Sequence, residues 1–239
     1  MRDTIIAYLQ QQREMYGNVT YATTPATPLM IPDETQAEAP PIVEAPRASH
    51  DPMESPRTLA EFEAQISSCL NCALGSTRTK FVFGSGNPNA DILVVGEAPG
   101  ADEDEQGLPF VGRAGQLLTK ILEAVNLRRD EVYICNILKC RPPGNRKPLT
   151  SETDQCEPYL WEQINLIKPK FILALGLTAA NTLLKNKESM TNLRGKTHDY
   201  HGIPLLVTYH PAALLRNPDW KRHTWEDVKY LRTLYDATQ

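Results

Sequence analysis

The sequence predicts an α/β fold: a three-layer αβα arrangement around a central, mostly parallel four-stranded sheet, with a disordered N-terminal extension. Three observations lead there. Short apolar runs rich in β-branched residues alternate with amphipathic stretches from residue 58 onward. Segments dense in Gly, Pro and polar residues follow the ends of those runs. Residues 18–56 are rich in Pro, Ala, Thr and Glu and hold few large apolar side chains.

Taken in order, residues 3–15 set Ile5, Ile6, Leu9 and Met15 loosely at helical spacing, which predicts a short amphipathic helix. Residues 18–56 bury too little to offset their ordering entropy and read as a disordered linker. The boundary therefore falls between an extension at 1–57 and a folded domain at 58–239. Thr58 is a plausible N-cap for a helix with Leu59, Phe62 and Ile66 on one face. Strands follow at 92–95, 132–137, 171–176 and 203–208, and helices at 112–125, 151–167, 177–184 and 220–235. Strands apolar on both faces, separated by helices, imply a parallel sheet covered on both sides. In such sheets the site lies at the carboxyl ends of the strands.

Composition narrows the partners. No apolar run reaches the roughly 18 residues of a membrane-spanning helix, and residues 1–16 lack a secretory signal, so a cytoplasmic location is expected. The net charge of -4 sits in the extension, where residues 1–57 carry eight acidic and four basic side chains of the 29 and 25 in the chain. The folded domain is then formally neutral, and local clusters decide nucleic-acid affinity. Candidates are Lys139, Arg141, Arg146 and Lys147, then Arg216, Lys221, Arg222 and His223. Five cysteines in a cytosolic chain point to metal or redox chemistry rather than disulfides. Cys69 and Cys72 form a C-x2-C pair, with Cys140 and Cys156 far downstream. Four thiolates suit a 4Fe–4S cluster or a structural zinc; the split second pair is unlike a compact zinc ribbon. Cys135, inside an apolar strand, reads as a core thiol.

Three loops follow predicted strand ends: GEAPG and its continuation over 96–112, NILKCRPPGNRKP over 136–148, and HPAALLRNP over 210–218. One such loop is an ordinary turn; three at one edge of one sheet make a site. These motifs resemble the bacterial and archaeal family 4 uracil-DNA glycosylases, the thermostable iron-sulfur branch of that superfamily. The likeness runs from about Thr58 to the C-terminus and leaves the extension uncovered.

The resemblance implies a monofunctional enzyme that flips uracil out of single- or double-stranded DNA and hydrolyses its N-glycosidic bond. It implies Cys69, Cys72, Cys140 and Cys156 as ligands of a structural 4Fe–4S cluster, the split spacing favouring it over zinc. Gly96, Ala98 and Gly100 would shape the pocket, Phe110 would stack on the flipped base, and Asn136 would read it, since cytosine reverses both hydrogen-bond polarities of uracil. His210 would donate to uracil O2, and Glu97 would position water or face the sugar cation. The better-known uracil glycosylases carry Asp in that loop. Glu103 would wall off C5 and contribute electrostatically, with Asp102, Asp104 and Glu105 as a solvated loop face. Leu214 and Leu215 would fill the gap left in the duplex, and Arg216 and Asn217 would grip phosphates.

Two rivals stand beside this reading. A uracil-DNA binder without turnover would carry a basic, His-containing insertion after the second motif, and NILKC here runs directly into RPPGNRKP. A cluster-bearing accessory module of a polymerase would use the extension, where Gln12 to Tyr16 faintly resembles a clamp-binding peptide. A monomer is expected, with any protein partner meeting the extension.

Overall fold

The computed structural model describes residues 58–238, so the expectations for the N-terminal helix, the linker and the clamp-binding peptide lie outside the described residues. Helix α1 (Leu59–Ile66) opens the body with a capping box: Thr58 Oγ1 accepts from the Glu61 amide at 3.2 Å, and the Thr58 amide donates to Glu61 Oε2 at 3.0 Å. A two-residue strand β1 (Ser85–Gly86) and strand β2 (Ile92–Gly96) follow, then helices α2 (Ala101–Gln106) and α3 (Arg113–Glu123). Strand β3 (Tyr133–Asn136), helix α4 (Thr150–Ile167), strand β4 (Phe171–Leu175) and helix α5 (Leu177–Leu184) continue the alternation. The chain closes with α6 (Met190–Leu193), β5 (Thr197–Tyr200), β6 (Ile203–Thr208), α7 (Pro211–Arg216) and α8 (Lys221–Asp236).

The sheet order is β1-β3-β2-β4-β6-β5. Its four inner strands, β3, β2, β4 and β6, are parallel and are the four expected. The sheet has six strands rather than four, because β1 and β5 pair antiparallel at the two edges. Neither announces itself: β1 is only two residues long, and β5 reads THDY, with no apolar run.

Alternation along each inner strand builds two cores. Leu93, Val95, Cys135, Ile172, Ala174, Leu205 and Val207 face one side, where α1, α4 and α5 supply Phe62, Leu160, Ile164 and Ala180. Ile92, Val94, Ile134, Leu173 and Leu206 face the other, against Leu118 and Leu122 of α3 and Val228 and Leu231 of α8. This is the three-layer αβα arrangement, with both faces of the sheet dry. No helix among the described residues is long and apolar enough to cross a membrane. From β2 the chain moves outward to β3 and then returns to β4 on the opposite side of β2. That reversal opens a crevice at the carboxyl end of β2, where ligands bind in such sheets.

Candidate active site

A cavity of about 470 Å³ occupies that crevice, a size common for small-molecule sites. Its walls come from the carboxyl ends of the parallel strands: Glu97, Ala98 and Gly100 after β2, Asn136 at the end of β3, and His210 after β6. Glu103, Phe110 and Arg216 complete it, so eight of the expected site residues meet in one place. Gly96 lies beneath them. It pairs in register with Asn136, so both residues present the same face of the sheet. A Cβ on Gly96 would stand 2.3 Å from Asn136 Oδ1 and 2.5 Å from Phe110 Cζ. The missing side chain is the space in which the amide and the ring lie together.

Phe110 is held in an unfavourable backbone conformation. Its φ is 53°, in the left-handed region that costs a non-glycine residue about 1–2 kcal/mol. Bonds on either side enforce it. Arg129 Nη2 donates to the Pro109 carbonyl at 2.6 Å, and the amides of Val111 and Gly112 each donate to Glu103 Oε1 at 2.9 Å. The other oxygen of Glu103 accepts from the Gly100 amide at 3.1 Å. Both carboxylate oxygens are thus used in holding the loop, while the side chain still lines the cavity. Gly115 allows the loop to sit on α3, since a Cβ there would overlap the Phe110 carbonyl at 1.8 Å. The Phe110 ring lies 5.5 Å from the His210 ring, tilted by 34°.

His210 caps the N-terminus of α7, its Nδ1 accepting from the Ala212 amide at 3.2 Å. That bond leaves the hydrogen on Nε2. Burial, reinforced by the Arg216 charge, lowers the pKa to about 4, so the ring is neutral at pH 7. Gly176, with φ 91° directly after β4, makes room for it: a Cβ would stand 3.0 Å from His210 Cβ. Asn136 is 1% exposed, and its Oδ1 has no hydrogen-bond partner among the described residues. Glu97 is half-buried at the cavity wall, with no side-chain hydrogen bond or ion pair among the described residues.

Several expectations are corrected. Leu214 is fully buried, so it packs inside the domain, while its neighbour Leu215 is 40% exposed. The helical turn of α7 separates them, one inward and one outward. Lys139 is not a surface cation for DNA: it is fully buried, with Nζ donating to the Asn136 carbonyl at 2.8 Å and to Gln163 Oε1. Asp104 is not solvated; it is 4% exposed and accepts from the Thr79 amide at 2.9 Å. Arg146 is held by both oxygens of Glu152, which also accepts from the Leu149 amide at the start of α4. Asn217, by contrast, stays exposed at the end of α7, its backbone amide donating to the Ala213 carbonyl at 2.8 Å. Asn145, left-handed at φ 55°, lines the cavity beside Arg146 and Lys147 and was not foreseen.

The cysteines gather on the α1–α4 side. Cys72, Cys140 and Cys156 share an apolar patch with Leu74, Leu138 and Tyr159. Cys69 joins through the Tyr159 hydroxyl, which donates to its Sγ at 3.2 Å. Arg78 Nη1 donates both to the Cys69 carbonyl at 2.6 Å and to Cys140 Sγ at 3.3 Å, and the Lys139 amide donates to Cys156 Sγ at 3.3 Å. Burial pushes the Cys156 thiol up to about 11 against the pull of the Lys139 charge. All five cysteines are free, and among the described residues no group of three or more His, Cys, Asp or Glu is arranged to hold a metal ion. Cys135 is a buried core thiol, as its strand position implies.

Comparison with known proteins gives this geometry its family. The uracil DNA glycosylase superfamily matches residues 83–231. A type-4 uracil-DNA glycosylase of Sulfurisphaera tokodaii is 44% identical over 186 residues, covering 74% of this chain and 84% of that protein. One of Thermotoga maritima is 44% identical over 169 residues, covering 69% and 88%. A DNA polymerase of Bacillus phage SP01 is 30% identical over 155 residues, 64% of this chain but only 17% of the polymerase. With its three loops converging at the carboxyl ends of β2, β3 and β6, the chain belongs to the uracil DNA glycosylase superfamily.

Proposed function

We propose that this protein excises uracil from DNA by hydrolysing the N-glycosidic bond, leaving an abasic site for base excision repair. The observation that carries the reading is the Asn136 amide, whose Oδ1 is buried without a partner in a cavity walled by an aromatic ring. Such an unmet acceptor costs about 1–3 kcal/mol. The N3–H of an extruded uracil meets it while Nδ2 donates to O4; cytosine offers the wrong polarity to both.

Extrusion costs a few kcal/mol, which stacking on Phe110 and these hydrogen bonds offset. As the bond between C1′ and the base breaks, its electron pair leaves with the base and accumulates at O2. There the Nε2–H of neutral His210 donates, stabilising the anion without charging the ring. The sugar turns cationic, and the Glu97 carboxylate faces it, aligning water for attack at C1′ and taking up its proton. Glu103, fixed by three backbone amides, walls the C5 side against a thymine methyl. Leu215 fills the gap in the duplex, and Arg216, exposed at the cavity wall, and Asn217 hold flanking phosphates.

We assign Cys69, Cys72, Cys140 and Cys156 as ligands of a 4Fe–4S cluster. The donor set fits: four thiols around one patch, with N–H groups of Arg78, Lys139 and Asn71 directed at three of the sulfurs. The split spacing of the second pair, Cys140 in a loop and Cys156 on α4, is unlike the two C-x2-C pairs of a compact zinc ribbon and favours the cluster. When bound, the cluster supplies a cross-link between the segment before β1 and the loop after β3, and the hydrolysis draws no electrons from it. Free thiols of this number suit a reducing compartment, and we place the protein in the cytoplasm.

The test is incubation with single-stranded DNA holding one uracil, followed by alkali. Repeated turnover with breaks at uracil and none at cytosine is the expected result. A covalent adduct without turnover would identify a trap instead, and an inert protein with intact fold would leave only an accessory module.

A further inference from the structure

Lys139 is fully buried, yet the acceptors of its Nζ are neutral: the Asn136 carbonyl at 2.8 Å and Gln163 Oε1, with Gln163 itself anchored by donation from Nε2 to the Phe83 carbonyl at 3.0 Å. Among the described residues no carboxylate forms an ion pair with it, although nine other pairs exist there. A buried ammonium without a counter-charge is strongly disfavoured. Its own amide donates to Cys156 Sγ at 3.3 Å, and the next residue is Cys140, so the sulfur centre is its immediate neighbour.

We propose that Lys139 is a positioning residue that joins the sulfur centre to base recognition. Its ammonium is the internal counter-charge of the four-thiolate centre, and its bond to the Asn136 carbonyl holds the backbone from which the base-reading amide projects. The inference rests on the assignment of the four cysteines to a cluster. Four thiolates around a dipositive four-iron core leave two negative charges. The Arg78 guanidinium touches Cys140 Sγ, and the Lys139 ammonium, whose own bonds go to Asn136 and Gln163, acts on the Cys156 sulfur through its field, its charge drawing that thiol towards the thiolate. Lysine suits the role better than arginine, because a compact ammonium on a long stem can donate to two carbonyl oxygens in a closed space. Loss of the centre would then leave Lys139 unneutralised directly behind Asn136, which ties base reading to the state of a cluster that takes no part in the chemistry.

The test uses the full chain purified without oxygen. Wild type with neither iron nor visible absorption would overturn the cluster assignment and the inference with it. With the cluster present, Lys139→Met should lose it to a chelator about ten-fold faster than wild type, show a more negative reduction potential, and bind free uracil about ten-fold more weakly. Lys139→Gln keeps an N–H donor without the charge; it should share the shift in potential and recover part of the uracil affinity. Unchanged cluster lifetime and potential in both variants would overturn the counter-charge role while leaving the cluster assignment intact. If neither variant folds, nitrogen NMR of lysine-labelled wild type decides. A Lys139 ammonium resonance displaced by the cluster supports the inference, and a neutral or undisplaced one refutes it.

Discussion

The Ala212 amide donates to Nδ1 of His210 at 3.2 Å, and this bond selects the tautomer that points an Nε2–H at the cavity. The pKa near 4 has a consequence for stability. Between the ordinary value of 6.5 and about 4, the unfolded chain takes up a proton that the folded chain refuses. The contribution is complete above pH 6.5 and declines as the pH falls towards 4, by about 3 kcal/mol. Urea unfolding of His210→Asn should therefore lose less stability over that window than wild type. The wild-type excision rate should show no inflection near pH 6.5, and one there would mean that the folded ring titrates at its ordinary value rather than the lowered one. His210→Ala should slow cleavage about 10²–10³-fold with substrate affinity largely kept.

Gly96→Ala separates the pocket from the fold. The glycine has an ordinary backbone conformation, and the atoms nearest an added methyl are Asn136 Oδ1 and the Phe110 ring carbons Cζ and Cε2. Overpacking of this kind costs about 1–3 kcal/mol, within reach of a folded domain. Displacing both base-contacting groups should reduce kcat/KM for uracil at least about 100-fold. A melting curve beside the kinetic measurement checks it; an active Gly96→Ala would show that the amide and ring have room to spare.

Asn136 and His210 were legible in the sequence because each stands in a long ordered motif directly after a strand, where the parallel fold puts its ligands. The four inner strands were legible for a related reason: burial on both faces leaves an uninterrupted apolar run. What escaped acts through the backbone or depends on local turns. Arg129 holds a carbonyl from twenty residues away, and no spacing encodes that. Helix α2 reads ADEDEQ, with no apolar period to mark it, and its Asp104 is buried by a bond to the Thr79 amide. Lys139 looked like a DNA contact because a lysine in a basic loop usually is one; only its neighbours reveal a buried donor. Leu214 and Leu215 could not be divided until the helical turn of α7 sent them to opposite sides.

That division is testable. Leu214→Ala should cost about 2–5 kcal/mol of unfolding free energy, the loss expected for a buried leucine. Leu215→Ala should change stability by less than about 0.5 kcal/mol. If Leu215 fills the space of the extruded nucleotide, its loss should reduce excision from duplex DNA several-fold more than from single strands, which have no stack to occupy. Equal losses on both substrates would remove it from the interface role.

Phe110 is held left-handed by two devices of unequal strength. A hydrogen bond to a charged group contributes about 1.5–3 kcal/mol, against about 1–2 kcal/mol of backbone strain. Arg129 supplies one such bond, to the Pro109 carbonyl, and Glu103 accepts three backbone amides. Arg129→Ala should therefore weaken free-uracil binding and excision by about ten-fold, because Glu103 alone still exceeds the strain. Glu103→Ala should lose about a hundred-fold or more, and the double variant should be little worse, since both residues serve one conformation. Glu103→Gln discriminates further: its oxygen can still accept from Val111 and Gly112, so a positional role predicts most of the activity retained. Activity as low as in Glu103→Ala would instead assign the effect to the negative charge beside the base.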